Sequence, residues 1–211
     1  MTMPRSYDEK YFQKRLYREI PNSPRNQRRI REVLRRESSG RLLEIGCAQG
    51  GFLEQAGRYF DVEGGDISEY AIRSLQARFG SRVFHFDIEK DDLPAGAYDV
   101  IVAFNVLEHL KNPPAALARI KSGLRPGGLF LGSVPNNGGP VGRVATLIGS
   151  VLDRSHCSTW TPGRWKEAFL AAGFLSVELF GEINRGRNHS LYVKHPAWKF
   201  VAIGLIFACR A

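Results

Sequence analysis

The stretch "RLLEIGCAQGGFL", Arg41 to Leu53, constrains the fold more than any other part of the chain. An apolar run carrying a single acid reads as a buried strand. It passes straight into Gly46, Cys47, Ala48, Gln49, Gly50 and Gly51 before a helical pattern starts at Phe52. In an open α/β sheet the first strand-to-helix turn lies beyond the carboxyl ends of the strands, where ligands bind. Side chains this small let a ligand touch the main chain, and Gly50 or Gly51 can supply a positive φ or close helix packing.

The segments around that turn set its frame. Ser6 with Glu9 has the form of a capping box, and Tyr7, Tyr11, Phe12, Leu16 and Ile20 recur at helical spacing until Pro21. A second helix, around Asn26 to Arg36, puts Ile30, Val33 and Leu34 on one face and arginines on the other. From Arg41 short apolar strands alternate with helices. The order is "RLLEI", a helix over Phe52 to Tyr59, "VEGGDI", a helix over Glu69 to Phe79, "VFHFD", the strand "YDVIVAF", a helix capped by Asn112 and Pro113, and the strand "LFLGSV". Such alternation means parallel strands.

The stretch from Pro135 to Ser158 breaks the rhythm. "PNNGGP" is a loop by its turn chemistry, and Val141, Val144, Ile148, Val151 and Leu152 follow on one helical face, which reads as an inserted cap. A helix from Thr161 and Pro162 to Gly173 comes next. "SVELFGEI" and "IGLIFACR" then close the chain as an antiparallel pair at one edge of the sheet. The expected fold class is α/β, with a three-layer, mostly parallel sheet and an antiparallel last strand. Basic N-terminal helices over residues 1–40 would form a lid on a domain of residues 41–211 that carries the cap at about 136–158.

A length of 211 residues suits one buried core rather than two. Of the net charge of +9, most belongs to Met1 to Arg41, where twelve Lys and Arg meet five Asp and Glu. That segment suits an anionic partner, whether nucleic acid, anionic lipid or a phosphorylated substrate, or is a solvated helical face. The three cysteines, Cys47, Cys157 and Cys209, are far apart and odd in number. This argues against a disulfide framework and a zinc cluster, so no metal site is expected and a reducing, cytoplasmic setting fits. "PRSYDEK" stands where an export signal needs an apolar core, and the longest apolar run, Phe200 to Cys209, is too short to span a bilayer. A peripheral membrane contact stays open: the apolar face of the cap and the run "WKFVAIGLIF" hint at an amphiphilic acceptor or a membrane surface, although core packing explains both more simply.

By itself the small-residue turn leaves two cofactors open. Gly46, Ala48 and Gly51 form a degenerate G-x-A-x-x-G, with Asp66 about where a dinucleotide fold has its ribose-binding acid. Against that, "LLEIGCAQGG" resembles the first motif of class I S-adenosylmethionine-dependent methyltransferases, an acid followed by G-x-G-x-G, with Ala48 at the middle glycine. "GGDIS" and "HFDIE" are similar to the acids that end the family's second and third strands. "YDVIVAFNVLEHL" and "RPGGLFLGSVPN" resemble its fourth- and fifth-strand segments. "HCSTWTPGRWKEAFLAAGF" is similar to the late segment of its small-molecule members, the ubiquinone O-methyltransferase-like (methyltransferase type 11/12) group. The resemblance covers about Arg41 to Ala211.

The resemblance implies a Rossmann-like fold, S-adenosyl-L-methionine as cofactor and S-adenosyl-L-homocysteine as product. It carries cofactor contacts onto Glu44, Gly46, Cys47, Ala48, Gly50, Asp66, Ile67, Asp87, Ile88 and Asn105. Asp66 could accept both ribose hydroxyl hydrogens, since an ionised carboxylate has two oxygens and no donor. Asp87 would take the adenine amino proton beside the Ile88 N–H, Glu44 would orient the loop or meet the ammonium group, and Asn105 would approach the methionine part. The expected reaction is methyl transfer to a hydroxyl of a small-molecule, glycan- or lipid-linked acceptor, which calls for a base. His156, which follows the cap, and His109, in "VLEHL", are the candidates, with His189 a further one and His85 structural. Nucleic acid is the alternative acceptor and is not favoured. "NPPA" lacks both the aromatic residue and the position of the N-P-P-aromatic motif of amino-group methyltransferases on nucleic acid and protein. A non-catalytic S-adenosylmethionine-binding protein is the other alternative.

Overall fold

Four helix starts follow from a side-chain cap written into the sequence. Ser23 accepts the N–H of Asn26 and Pro24 takes the first turn of α1 (Pro24–Leu34). Ser68 does the same for α3 (Glu69–Phe79), Asn112 for α4 (Pro113–Gly123) and Thr161 for α6 (Pro162–Ala171). The other helices are α2 (Gly51–Ala56), α5 (Pro140–Leu152) and the short α7 (Trp198–Val201). The computed structural model describes residues 23–152, 155–184 and 190–211, so the helix expected over Tyr7 to Ile20 and His189 lie outside the described residues. No helix among the described residues is long and apolar enough to cross a membrane.

The strands are β1 (Arg41–Ile45), β2 (Asp61–Asp66), β3 (Val83–His85), β4 (Tyr98–Phe104), β5 (Leu124–Pro135), β6 (Ser176–Asn184), β7 (Ser190–Val193) and β8 (Gly204–Arg210). They form one sheet in the order β3-β2-β1-β4-β5-β8-β6-β7. The first five are parallel, with Ile45 beside Gly65 on one side and Ala103 on the other. From β1 the chain works outward to β2 and β3 and then returns to place β4 on the other flank, so the order reverses between β1 and β4. A crevice forms where neighbouring connections diverge in this way.

Alternation along the strands feeds two cores, as parallel strands covered on both faces require. Leu42, Val100, Val102, Leu129 and Leu131 join Phe52, Leu53 and Ile72 of α2 and α3 and Ile30 and Val33 of α1. Leu43, Ile101, Phe130 and Phe207 point the other way, onto Leu117 of α4 and Trp165 and Phe169 of α6. Two arginine pairs fasten α1 along β6: Arg36 bridges Glu32 and Glu178, and Arg25 stands 3.9 Å from Glu182.

Two expectations need correction. β6 and β8 do pair antiparallel, but β8 lies inside the sheet, between β5 and β6, and the edge is β7. Its composition agrees: Leu205, Ile206, Phe207, Ala208 and Cys209 are all buried, so both faces of β8 are covered, as in the interior of a sheet packed on both sides. The edge falls to a strand of four residues, one of the devices that keep sheet edges from pairing with other chains. The second correction concerns the cap. Val141, Val144 and Ile148, assigned to the core, are exposed, as is Leu147; the inward residues of α5 are Gly142 and Thr146. The side chains of Val151 and Leu152 lie outside the described set.

Phe169 sits at the centre of the larger aromatic cluster, its ring centroid 4.7 Å from that of Phe207 and 6.0 Å from that of Trp165. Replacing Phe169 by Ala should destabilise the chain by about 3–5 kcal/mol, measured as a lower urea midpoint at an unchanged slope.

Candidate active site

The turn after β1 is held in an uncommon backbone conformation. Gly46 has φ 76° and Gly50 φ 74°, and between them Ala48 has φ 47° although it carries a side chain. A Cβ on Gly46 would come within 2.5 Å of Val106 Cγ2, so this position is closed to larger residues by the protein's own packing. The N–H groups of Gly46 and Cys47 donate to Gly65 O at 2.8 and 3.2 Å, and Ala48 N–H donates to Asp66 Oδ2 at 2.8 Å. The loop therefore leans on the end of β2, and Asp66 is its anchor.

Asp66 is buried at that strand end and its other oxygen accepts Ser68 N–H at 2.8 Å. Burial pushes its carboxyl above the ordinary range, against the two backbone donors that pull it down. Each oxygen keeps a second lone pair for a ligand hydroxyl. The next residue, Ile67, is exposed, an apolar side chain left open beside a polar anchor. Glu44 is buried one residue before the end of β1, and Cys47 is buried in the turn. Asp87 and Ile88 follow β3; the Asp87 carboxylate accepts Glu89 N–H at 3.0 Å and pairs with the Lys90 ammonium at 2.7 Å, while Ile88 is buried. His85 is the last residue of β3, exposed and in register with Asp66.

Across the crevice, Asn105 leaves β4 at φ 56°. Its N–H donates to Ser133 O at 2.9 Å and its Oδ1 accepts the Ser133 hydroxyl at 3.2 Å. Asn105 also lines a cavity of about 200 Å³ with Pro135, Thr146 of α5, His156, Glu182 of β6 and Arg25 of α1. Glu44, the turn and Asp66 thus stand at the carboxyl ends of β1 and β2, and Asn105 opens from their neighbour β4 onto a second compartment.

The two candidate bases, forty-seven positions apart in sequence, are brought together by main-chain bonds. Cys157 N–H and Ser158 N–H donate to Glu108 O at 2.8 and 2.9 Å, and the Ser158 hydroxyl donates to Leu110 O at 2.8 Å. These bonds tie the segment after the cap to the turn "LEHL" and set the His109 and His156 rings 4.9 Å apart, edge to face. His109 Nδ1 lies 2.8 Å from the Ser155 hydroxyl. The sequence reading missed Glu108, which is 1% exposed and whose side-chain oxygen lies within 4.8 Å of a ring nitrogen of both imidazoles. Burial pushes its carboxyl up to about 8. Arg25 and Glu182 were missed as well; only adjacency to His109 could have flagged Glu108, and nothing local flags the other two. One carboxylate with two imidazoles is also a donor set able to hold a divalent cation.

A family model described as a methyltransferase domain matches residues 12–179. The chain belongs to that family, in its S-adenosylmethionine-dependent class. It is 33% identical over 99 residues to a probable S-adenosylmethionine-dependent methyltransferase of Mycolicibacterium smegmatis, covering 45% of this chain and 38% of that protein. It is also 33% identical over 102 residues to the ubiquinone biosynthesis O-methyltransferase of Cereibacter sphaeroides, covering 46% and 41%. The chain spans less than half the length of these curated relatives. A SAM-dependent methyltransferase from Archaeoglobus fulgidus shares the fold with a TM-score of 0.69 at 20% identity, over 88% of this chain and 92% of that one.

Glu108 yields a pH signature. Its proton stays bound up to about pH 8 in the folded chain, whereas an ordinary glutamate loses it near 4.5. Between those values the folded state binds more protons than the unfolded one, so stability falls as pH rises. The melting midpoint should drop across that window, and Glu108→Gln should flatten the slope; equal slopes would mean that Glu108 is already ionised in the folded chain.

Proposed function

We propose that the protein transfers a methyl group from S-adenosylmethionine to a hydroxyl of a small-molecule, glycan- or lipid-linked acceptor, with His156 as the base. The observation that carries this reading is the cavity shared by Asn105 and His156, which opens from the turn after β4 beside the small-residue turn after β1. The fit to the cofactor rests on the small side chains of the turn after β1, on the fixed carboxylate of Asp66 and on the exposed Ile67. When bound, the cofactor would supply an electrophilic methyl carbon on a sulfonium sulfur, the C–S bond breaking as the O–C bond forms and its electron pair leaving with the neutral thioether, S-adenosylhomocysteine.

The chain's own tasks are then alignment, exclusion of water and proton removal. Asp66 holds the ribose hydroxyls, Asp87 and Ile88 meet the adenine, and Glu44, Gly46, Cys47, Ala48, Gly50 and Asn105 surround the methionine part. Fixing the acceptor oxygen in line with the methyl group supplies much of the rate. As the oxygen forms its new bond to carbon, its proton passes to the His156 imidazole. His109 and the buried Glu108 act through His156 by holding its ring and its charge state. Arg25 of α1 lines the cavity, which supports a covering role for the N-terminal basic segment. A hydroxyl acceptor agrees with the Cereibacter relative, an O-methyltransferase by name. Cys47, Cys157 and Cys209 are all thiols outside any disulfide, which supports a cytoplasmic setting.

Transfer of labelled methyl groups to a panel of phenols, sugar nucleotides and polyprenyl alcohols tests the reading. With the acceptor found, His156→Ala should lower kcat roughly 10²- to 10⁴-fold and remove the acidic limb of the pH profile, with little change in cofactor affinity. Unchanged turnover would remove His156 from the chemistry. Loss of activity on chelation, restored by a divalent cation, would instead make the imidazoles ligands. Asp66→Asn should weaken S-adenosylmethionine binding roughly tenfold or more by calorimetry and also lower the melting midpoint without cofactor, because an amide oxygen can take only one of the two backbone N–H groups that the carboxylate holds.

A further inference from the structure

Helix α5 wears its hydrophobic face outward. Val144 is 58% exposed, Leu147 68% and Ile148 56%, with Val141 beside them, while the small inward residues rest on the protein. α7 repeats the pattern, with Trp198 and Ala202 buried and Phe200 61% and Val201 47% exposed. The two strips are locked together. A Cβ on Gly139 would stand 1.9 Å from Lys199 O and 2.8 Å from Phe200 Cα, and one on Gly142 would stand 2.1 Å from Asn136 O. Only glycine permits this contact, and the Asn136 side-chain amide donates to Ala202 O at 2.8 Å to fix it. Exposed apolar side chains gathered on a braced surface mark an interaction site.

Charge selects the partner. From Asn136 to Leu152 and from Ser190 to Gly204 the sequence has no Asp or Glu, whereas Arg143, Lys194 and Lys199 punctuate the same two stretches. Arg143 and Lys199 are exposed, whereas the Lys194 ammonium is paired with Glu178 at 2.8 Å. Apolar residues flanked by the cations Arg143 and Lys199, with no acid in either stretch, match a bilayer surface with negative headgroups, where the aliphatic side chains enter the acyl boundary and the cations stay among phosphates. The chain's net charge of +9 adds long-range attraction to the same surface. We propose that the α5–α7 face docks the protein on an anionic lipid surface. The inward face of α5 supplies Ala145 and Thr146 to the cavity wall, and Ile203 and Gly204 follow α7 into the same wall. Docking therefore sets the cavity next to the membrane. This holds whichever acceptor group is methylated.

Cosedimentation with vesicles of phosphatidylcholine alone, or of phosphatidylcholine with phosphatidylglycerol, tests the proposal on the full chain. The protein should pellet with the anionic vesicles, more weakly with neutral ones, and less as salt rises. The triple variant Val144→Gln, Leu147→Gln, Ile148→Gln should lose binding by at least about tenfold. Arg143→Glu with Lys199→Glu should lose the preference for anionic lipid. S-adenosylmethionine affinity and melting midpoint, unchanged in both variants, separate lost docking from lost fold. No pelleting at low salt, or equal binding by the triple variant, overturns the proposal. So does a wild-type dimer in sedimentation velocity that the triple variant dissociates, because the face would then be a contact between copies.

Discussion

The main chain has to leave two adjacent parallel strands, β1 and β4, through left-handed conformations. Gly46 meets that demand without cost, but Ala48 and Asn105 carry side chains there, a conformation disfavoured by about 1–2 kcal/mol each. Both are held by hydrogen bonds to neighbouring strands, Ala48 to Asp66 and Asn105 to Ser133. Backbone strain kept in place this way clusters at functional sites. Here it turns both strand ends toward one crevice. The parallel core on both sides of the sheet is what keeps those strand ends in register.

The second compartment depends on that register at one remove. Once β4 ends at Phe104, the turn Leu107–His109 presents Glu108 O to the segment after the cap, and two backbone bonds draw His156 to His109. The Glu108 carboxyl goes inward at the same point, where burial alone raises its affinity for a proton. A buried acid that stays protonated near neutrality is costly to ionise and gives its neighbours a fixed polar environment. α1 closes the other side through Arg25 and Glu182, so the cavity is assembled from α1, the ends of β4 and β5, the cap and the last third of the chain.

The cap shows how far an amphipathic pattern can be read. Its apolar periodicity is real, yet the face that packs inward is the one made of Gly142, Ala145 and Thr146. Small residues face the protein because the helix lies almost on the backbone of residues 199–202, and nothing larger fits. The bulky side chains are left on the outside. Helical periodicity fixes the direction of an apolar face relative to its own axis, never relative to the rest of the chain.

Local chemistry in the sequence determined the helix starts, the alternating strands and the small-residue turn with the acids after β2 and β3. Residues 69–79 and 98–104 coincide with α3 and β4 to the residue, because caps and periodicity act over a few positions. The same locality made the S-adenosylmethionine-dependent class recognisable from Arg41 onward. Tertiary structure alone decided that β8 lies inside the sheet, that the cap turns its valines to solvent, and that Glu108, Arg25 and Glu182 join His156 around one cavity. Those outcomes depend on which distant segments share a strand edge or a cavity wall, and no short window of sequence encodes a partner a hundred residues away.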